Sequence, residues 1–261
     1  MYHYLHLGLA LQSTFLTTHL ASWGFVVAAC DHVGNTFFDM AGITDQESLK
    51  RIHKEAIRNR PLDLKAVYDF LTSSSGKAQL EDEQLICRQP ALGLMGHSFG
   101  GWTSIRAISE VPARVIVPLA PACESFVGRK AFQHLPVTTP VLVISAEQDS
   151  LISHHKDIVP MVRRLDPTLT RLVTLPTCDH FHFCDNAEII HASQTSPQKP
   201  FDHLLSESRA HRILVALTTA FFTHAQQVPG ANIFKDFTSS NLAQLDPEVF
   251  LQNVHNLESR L

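Results

Sequence analysis

The segment Gly96-His97-Ser98-Phe99-Gly100 constrains the fold of this chain more than any other stretch. It matches the pattern G-x-S-x-G, in which a serine sits on a sharp turn between a strand and a helix. The context fits that pattern, because an apolar run over residues 91–95 precedes it and helical spacing follows over 102–108. The serine of such a turn has a positive φ, so Gly96 and Gly100 are expected to leave room for neighbouring backbone. The segment therefore predicts a strand, a turn that carries Ser98, and a helix whose N-terminus faces the nucleophile.

Apolar runs alternate with amphipathic stretches elsewhere, which predicts parallel strands separated by helices. The predicted strands are residues 2–7, 25–30, 91–95, 115–120, 141–145 and 171–175. The predicted helices run from Ser13 or Thr14 to Gly24, from Pro61 to Ser73, over 151–165 and over 206–225, and the tail from 230 is predicted as short helices without a strand. The fold class is α/β, with a mostly parallel central sheet and helices on both faces in a single domain over 1–261.

The overall composition is that of an ordinary globular protein and argues against several partners. The 261 residues carry a formal net charge of −4 and no long charge run, which gives no support for nucleic acid or an anionic membrane. No apolar stretch is long enough to span a membrane, and the first twenty residues lack the basic start and cleavage site of a signal peptide. A cytoplasmic location is the expectation. The oligomeric state is not determined by the sequence.

The five cysteines are odd in number and widely spaced, so at least one is free and a disulfide framework is not indicated. Cys178 and Cys184 lie on either side of His180, and a disulfide between these two residues is compatible with the sequence.

Two polar residues after later strands can complete a catalytic triad with Ser98. A serine hydroxyl needs a base to take its proton, and the base needs an acid to fix its tautomer. On an elbow of this type the order along the chain is serine, acid, histidine. Asp149 follows the strand 141–145, and His180 follows the strand 171–175. These residues are the predicted acid and base.

Each partner has a rival nearby. Glu147 can replace Asp149, although it lies closer to the strand end, and His182 can replace His180. The pair of histidines with Asp179 or Asp185 also suggests a metal site, but a catalytic zinc needs three protein ligands and an open position. We expect no metal and no cofactor.

His154 and His155 are interpreted as a solvated helix start, and His97 as a structural or rim residue.

The oxyanion hole is predicted to consist of two backbone N–H groups. One belongs to Phe99, directly after the nucleophile, and the other to the loop near residues 8–10, where Leu9 is the candidate. Such donors each contribute roughly 3 kcal/mol to transition-state stabilisation.

Several motifs resemble the α/β-hydrolases related to dienelactone hydrolase, most of all the platelet-activating-factor acetylhydrolase-like esterases. The segments that carry this resemblance are residues 20–27, 31–36, 60–63, 96–101, 119–122 and 180–185. The resemblance covers residues 8–225 and implies a serine esterase with Ser98 as nucleophile, Asp149 as acid and His180 as base. Dienelactone hydrolases proper use cysteine where this chain has Ser98.

Bacterial cutinases and polyester hydrolases share part of the pattern, including Glu147-Gln148-Asp149-Ser150. They usually carry a tryptophan after the strand that follows the elbow helix, whereas this chain reads Ala120-Pro121-Ala122-Cys123 there, which lowers the expectation of aromatic polyester cleavage. Family members also have several strands before the oxyanion loop. This chain begins almost at that loop, so either its start is truncated or the sheet lacks its first edge strands.

The sequence thus predicts a hydrolase of small carboxylic esters with short- to medium-chain acyl groups, acting through an acyl-enzyme. A non-catalytic or decayed member of the fold that only binds ligands is one alternative, because the second oxyanion donor is in doubt. Polyester hydrolysis, thioester hydrolysis and amide hydrolysis on the same triad are others.

Overall fold

The computed structural model describes residues 9–79, 91–128, 130, 138–194, 201–227, 233–235, 237–246 and 250–252. The strands are β1 (Gly93–His97), β2 (Val115–Leu119), β3 (Val141–Ala146), β4 (Thr170–Leu175) and β5 (Phe250–Gln252). The α-helices are α1 (Thr14–Ser22), α2 (Phe37–Met40), α3 (Gln46–Thr72), α4 (Ser74–Gln79), α5 (Phe99–Arg106), α6 (Glu124–Val127), α7 (Val159–Val162), α8 (Ala187–Gln194), α9 (Glu207–Gln227) and α10 (Ser239–Leu245). A π-helical turn covers His154–Ile158, and 3-10 turns cover Ala107–Ser109, His180–Phe183 and Phe201–His203.

The strands form one sheet in the order β1-β2-β3-β4-β5. Strands β1 to β4 are parallel, with Gly93 opposite Val115 and Val141 opposite Thr170, while β5 runs antiparallel to β4. The four predicted strands that form β1 to β4 are therefore confirmed to within two residues. The parallel sheet places the loops after β1, β3 and β4 at one edge, where α/β proteins build their sites.

Both faces of the sheet are covered by helices, which confirms the predicted fold class. On β3, Leu142 and Ile144 face a core shared with α1 and α9, whereas Val141 and Val143 face a second core that includes Trp102 of α5. These four strand residues are all fully buried. A parallel strand that is covered on two faces is apolar throughout, and this is why the sequence shows continuous apolar runs.

The predicted strand over residues 25–30 is wrong. That segment has no strand conformation, and the side chains of Val26 and Val27 are 55% and 38% exposed. Within the described residues the sheet consists of β1 to β5, and none of these strands pairs with residues 25–30. Apolar side chains alone do not make a strand, because each backbone N–H and C=O of a strand needs a partner. The other early strand prediction, over 2–7, falls outside the described residues.

The predicted start of a helix at Pro61 is also wrong. Pro61 lies inside the 27-residue helix α3, whose N-cap is Asp45, with the carboxylate accepting from the Ser48 N–H. Proline costs one helical hydrogen bond. The helix continues through it because residues on both sides pack against the core: Ala56 and Arg60 before it are buried, and Leu64 and Tyr68 after it are partly buried. The predicted end before Ser73 is confirmed, although α4 follows at once.

Two further predictions need correction. The region 151–165 is not one helix but the π turn followed by the four-residue α7. The Ser153 side chain caps the start of the π turn by accepting from the Lys156 N–H. The tail contains not only α10 but also β5, which pairs with β4 through Val173 opposite Leu251. A three-residue edge strand is too short to show alternation in the sequence.

Candidate active site

Ser98 occupies the turn between β1 and α5 in a strained backbone conformation. Its φ is 55° and its ψ is −119°, a region that residues with a side chain rarely enter. The turn is held by the end of β2, since Ser98 N–H donates to Leu119 O at 2.9 Å and Ala122 N–H donates to Ser98 O at 2.8 Å. The predicted strand–serine–helix arrangement is therefore present at this position.

Glycine is required at Gly96 and Gly101 by close backbone approach. A Cβ on Gly96 would lie 2.3 Å from the carbonyl oxygen of Gly100, and one on Gly101 would lie 2.9 Å from Cα of Pro121. Gly100 itself differs from the prediction, because a Cβ there would meet nothing within 4 Å. The Gly100 backbone is what limits the space at Gly96, whereas the position of Gly100 itself has room for a side chain.

Asp149 and His180 form a buried pair at the carboxyl edge of the sheet. The Nδ1 of His180 lies 2.6 Å from Oδ2 of Asp149, and the two side chains are 3% and 1% exposed. The other carboxylate oxygen of Asp149 accepts from the N–H groups of Leu151 and Ile152, both at 2.8 Å. These two donors fix the carboxylate plane. A carboxylate can only accept, so Nδ1 of His180 carries the hydrogen of this pair, and the buried Nε2 of the same ring has no hydrogen-bond partner in the described residues.

Glu147 and His182, the alternatives to Asp149 and His180, make contacts with other residues. Glu147 lies 3.9 Å from the exposed ring of His155. His182 uses both ring nitrogens, with Nδ1 at 2.7 Å from Asp179 Oδ1 and Nε2 donating to Leu205 O at 2.7 Å. Among the residues that the structure describes, no three His, Cys, Asp or Glu side chains are grouped to hold a metal ion.

Asp179 anchors the loop that carries His180. Its side chain accepts from the Phe181 N–H at 2.9 Å and pairs with the rings of both His182 and His191. Burial alone would raise the pKa of Asp179, but the hydrogen bonds from these two histidines outweigh it and keep the pKa below its usual value. The carboxylate is therefore ionised inside the protein, and its partners tie α8 to the turn that carries His180.

His97 connects the elbow with that turn. Its ring centre lies 4.4 Å from that of His180 and 5.3 Å from that of Phe183. The structural role predicted for His97 agrees with this packing.

The interpretation of His154 as solvated is wrong, because it is 2% exposed and its Nδ1 lies 2.9 Å from Ser145 Oγ on β3. His155 is 74% exposed, as predicted.

Arg60 is a buried residue that the sequence reasoning did not single out. Its Nε donates to Asn35 Oδ1 at 2.8 Å, and both residues are at most 4% exposed. Burial lowers the pKa of Arg60 to about 10, so the guanidinium stays charged at neutral pH. The sequence contained a signal for this burial, because the apolar residues Ala56 and Leu64 lie one helical turn before and after Arg60. Both face the core.

The two predicted oxyanion donors lie on different elements. Phe99 is the first residue of α5 and is 2% exposed. Leu9 begins the described part of the chain, is 37% exposed, and its carbonyl accepts from Gln12 N–H at 3.1 Å. The next N–H, of Ala10, donates to Asp31 Oδ1 at 2.8 Å and so ties this loop to the segment after residue 30. The role of Leu9 stays a prediction.

Cys178 and Cys184 are both buried, and no disulfide links them. Burial raises the pKa of Cys184 to about 12, which keeps it a neutral thiol.

The parallel sheet with helices on both faces and a serine on a strand–turn–helix elbow defines the α/β-hydrolase superfamily. The chain belongs to the PET hydrolase-like family, whose model matches residues 9–202. This is a family of cutinase-like polyester hydrolases, so the chain is a hydrolase that acts on esters. No curated protein sequence matches the chain. In the described ranges no helix has both the length and the apolar character to cross a membrane.

Proposed function

We propose that this protein is a serine hydrolase that cleaves carboxylic esters through an acyl-enzyme. The observation that carries the proposal is the buried Asp149–His180 pair, 2.6 Å apart, on loops at the same sheet edge as the strained Ser98. An unpartnered Nε2 on a histidine whose Nδ1–H is bound to a carboxylate is the arrangement that a general base needs.

The reaction has two balanced steps. The Oγ of Ser98 attacks the ester carbonyl while its proton passes to Nε2 of His180, and the alcohol leaves with that proton. Water then attacks the acyl-enzyme, giving its proton to His180, which returns it to Oγ as the carboxylic acid departs. Asp149 stabilises the imidazolium that forms in each step, and the two N–H donors to its Oδ1 keep it in place.

The oxyanion is held by the N–H groups of Phe99 and Leu9 in this proposal. Phe99 is at the N-terminus of α5, where helix N–H groups and the helix dipole favour negative charge. Leu9 is the loop donor from the opposite side.

The substrate in this proposal is a small ester with a short- to medium-chain acyl group. Polyesters are the second candidate, and the family match favours them. Ala122 and Cys123, which follow β2, argue against an aromatic polyester as substrate. They are 0% and 1% exposed and present no aromatic surface to a ring. Hydrolysis of p-nitrophenyl butyrate, a soluble aliphatic polyester and an aromatic polyester film under one set of conditions separates these substrates.

Replacing the nucleophile tests the reaction itself. Ser98→Ala is expected to lower kcat for p-nitrophenyl butyrate by roughly 10⁶-fold, to the background rate. Ser104→Ala is the matched control on the same helix, because the Ser104 hydroxyl only donates to Gly100 O at 2.9 Å. A fluorophosphonate should label Ser98 in the native protein and leave Ser98→Ala unlabelled. Unchanged hydrolysis in Ser98→Ala would overturn the proposal, and a native protein that neither hydrolyses esters nor takes the label would be a binding protein.

A further inference from the structure

Three side chains behind His180 have no part in the proposed chemistry. Gln12 lies in the loop after Leu9, His97 precedes the nucleophile, and Cys184 follows the base-bearing turn. The Nε2 of Gln12 lies 2.7 Å from Nδ1 of His97 and 3.0 Å from Sγ of Cys184. The fold thus brings the last residue of β1 and the Cys184 side chain to the amide group of Gln12.

This amide group determines the tautomer of His97. An amide nitrogen has two hydrogens and can only donate, so one hydrogen goes to Nδ1 of His97 and the other to the Cys184 sulfur. Nδ1 of His97 must then be the acceptor, and the ring proton resides on Nε2. His97 is consequently neutral. The ring is held through Gln12, by the Cys184 sulfur at 3.6 Å from Nδ1, by a contact with the backbone of His180, and by packing against Phe183.

A neutral ring at this position suits a base that becomes positively charged. The ring of His97 lies between Phe183 and His180, and its centre is 4.4 Å from that of His180. A cation at that distance would oppose proton uptake by His180. Burial lowers the pKa of His97 well below its usual value, and His180 lowers it further. The other groups here are the neutral thiol of Cys184 and, across His180, the Asp149 carboxylate.

We propose that Gln12 and His97 are positioning residues for His180: Gln12 locks His97 as the neutral Nε2–H tautomer, and the locked ring supports one side of the His180 ring. This inference rests on the proposed function, since it assigns His180 the role of base. It also couples the loop of the predicted donor Leu9 to the base, because Gln12 is three residues further along that loop.

Kinetics of two Gln12 variants test the positioning role. Gln12→Met keeps the length but removes both donors, and Gln12→Glu keeps the shape but can only accept. Both are expected to lower kcat roughly 10- to 100-fold, the cost of a slightly misplaced catalytic group, with KM within about twofold of the native value. Ser13→Ala is the matched control: it removes the hydrogen bond from Ser13 to Phe183 O at 2.7 Å, which joins the same two segments without touching His97. Its kcat should change by less than about fivefold, as for loss of one ordinary hydrogen bond.

Nitrogen NMR of the ¹⁵N-histidine-labelled protein tests the tautomer without any need for activity. Native His97 is expected to show an unprotonated Nδ1 and a protonated Nε2 at neutral pH, and Gln12→Glu should place a proton on Nδ1. A native His97 with Nδ1–H, or full kcat in Gln12→Glu, would overturn the inference, as would equal losses in Ser13→Ala and Gln12→Met. An inactive native protein would instead contradict the proposed function, while the NMR result would still report on the lock itself.

Discussion

The guanidinium carbon of Arg60 lies 4.3 Å from the ring centre of Phe99, the residue directly after Ser98. Arg60 is 4% exposed and belongs to α3, so a long helix from a different part of the chain places a buried cation against the first turn of α5. A guanidinium over an aromatic ring is attracted by the negative face of the ring. The contact therefore joins the packing of α3 to the residue that is proposed to supply an oxyanion donor.

Replacement of Arg60 by methionine should destabilise the fold. The change removes the cation–π contact and leaves the buried Asn35 Oδ1 without its donor, so we expect a loss of about 2 kcal/mol in the free energy of unfolding. Urea denaturation monitored by circular dichroism measures it. Arg58→Met is the matched control, because Arg58 is exposed on the same helix. A stabilised Arg60→Met protein would show that the cost of burying the cation exceeds its contacts.

Replacement of Asp149 by asparagine should abolish most of the activity while leaving the fold intact. The amide can donate to Nδ1 of His180 and so favours the wrong tautomer, for which we expect kcat to fall about 10⁴-fold. Glu147→Gln is the control, since Glu147 lies near His155 and not near His180. If Glu147→Gln loses the activity and Asp149→Asn keeps it, the assignment of the acid is reversed.

Asp179 should make stability depend on pH. Its pKa is lower in the folded protein than in the unfolded chain, so the carboxylate favours the folded state above the unfolded pKa, and this contribution is lost as the pH falls through the folded pKa. Asp179→Asn should therefore be less stable than the native protein at pH 7, by about 3 kcal/mol for a broken buried pair. The difference should shrink as the pH is lowered below the usual aspartate range.

Urea titrations at several pH values check this prediction, with the exposed Asp202→Asn as the control. A difference between native and Asp179→Asn proteins that stays constant down to acid pH would contradict the inferred ionisation of Asp179.

The buried cysteines should be protected thiols. Burial raises the pKa of Cys123 far above its usual value, so its thiolate is absent at neutral pH, and Cys178 and Cys184 are also buried thiols outside any disulfide. Iodoacetamide followed by mass spectrometry should modify all three only after unfolding, and reductant should not change the melting temperature. A Cys178–Cys184 disulfide found in the native protein would contradict the structure.

Short-range patterns were sufficient for most of the sheet. The runs that became β2 and β3 are almost entirely apolar and are buried at every residue, and the glycine at position 96 marks a turn that no larger residue can enter. The same reasoning failed over residues 25–30, which are apolar in sequence but are neither buried nor paired with another strand of the described residues. The prediction that a helix begins at Pro61 failed because α3 already runs from Gln46, and proline is accommodated inside it by packing against the core.

The sequence by itself determined the strand–turn–helix elbow that carries Ser98, since the strain at Ser98 and the close backbone approach at Gly96 depend on a few adjacent residues. It also narrowed the acid and the base to two pairs, Asp149 or Glu147 and His180 or His182. Only the tertiary structure decided which members of these pairs meet, because their distance is set by how β3 and β4 lie together in the sheet. The contact of Gln12 with His97 spans 85 residues of chain, and no local pattern encodes such an approach.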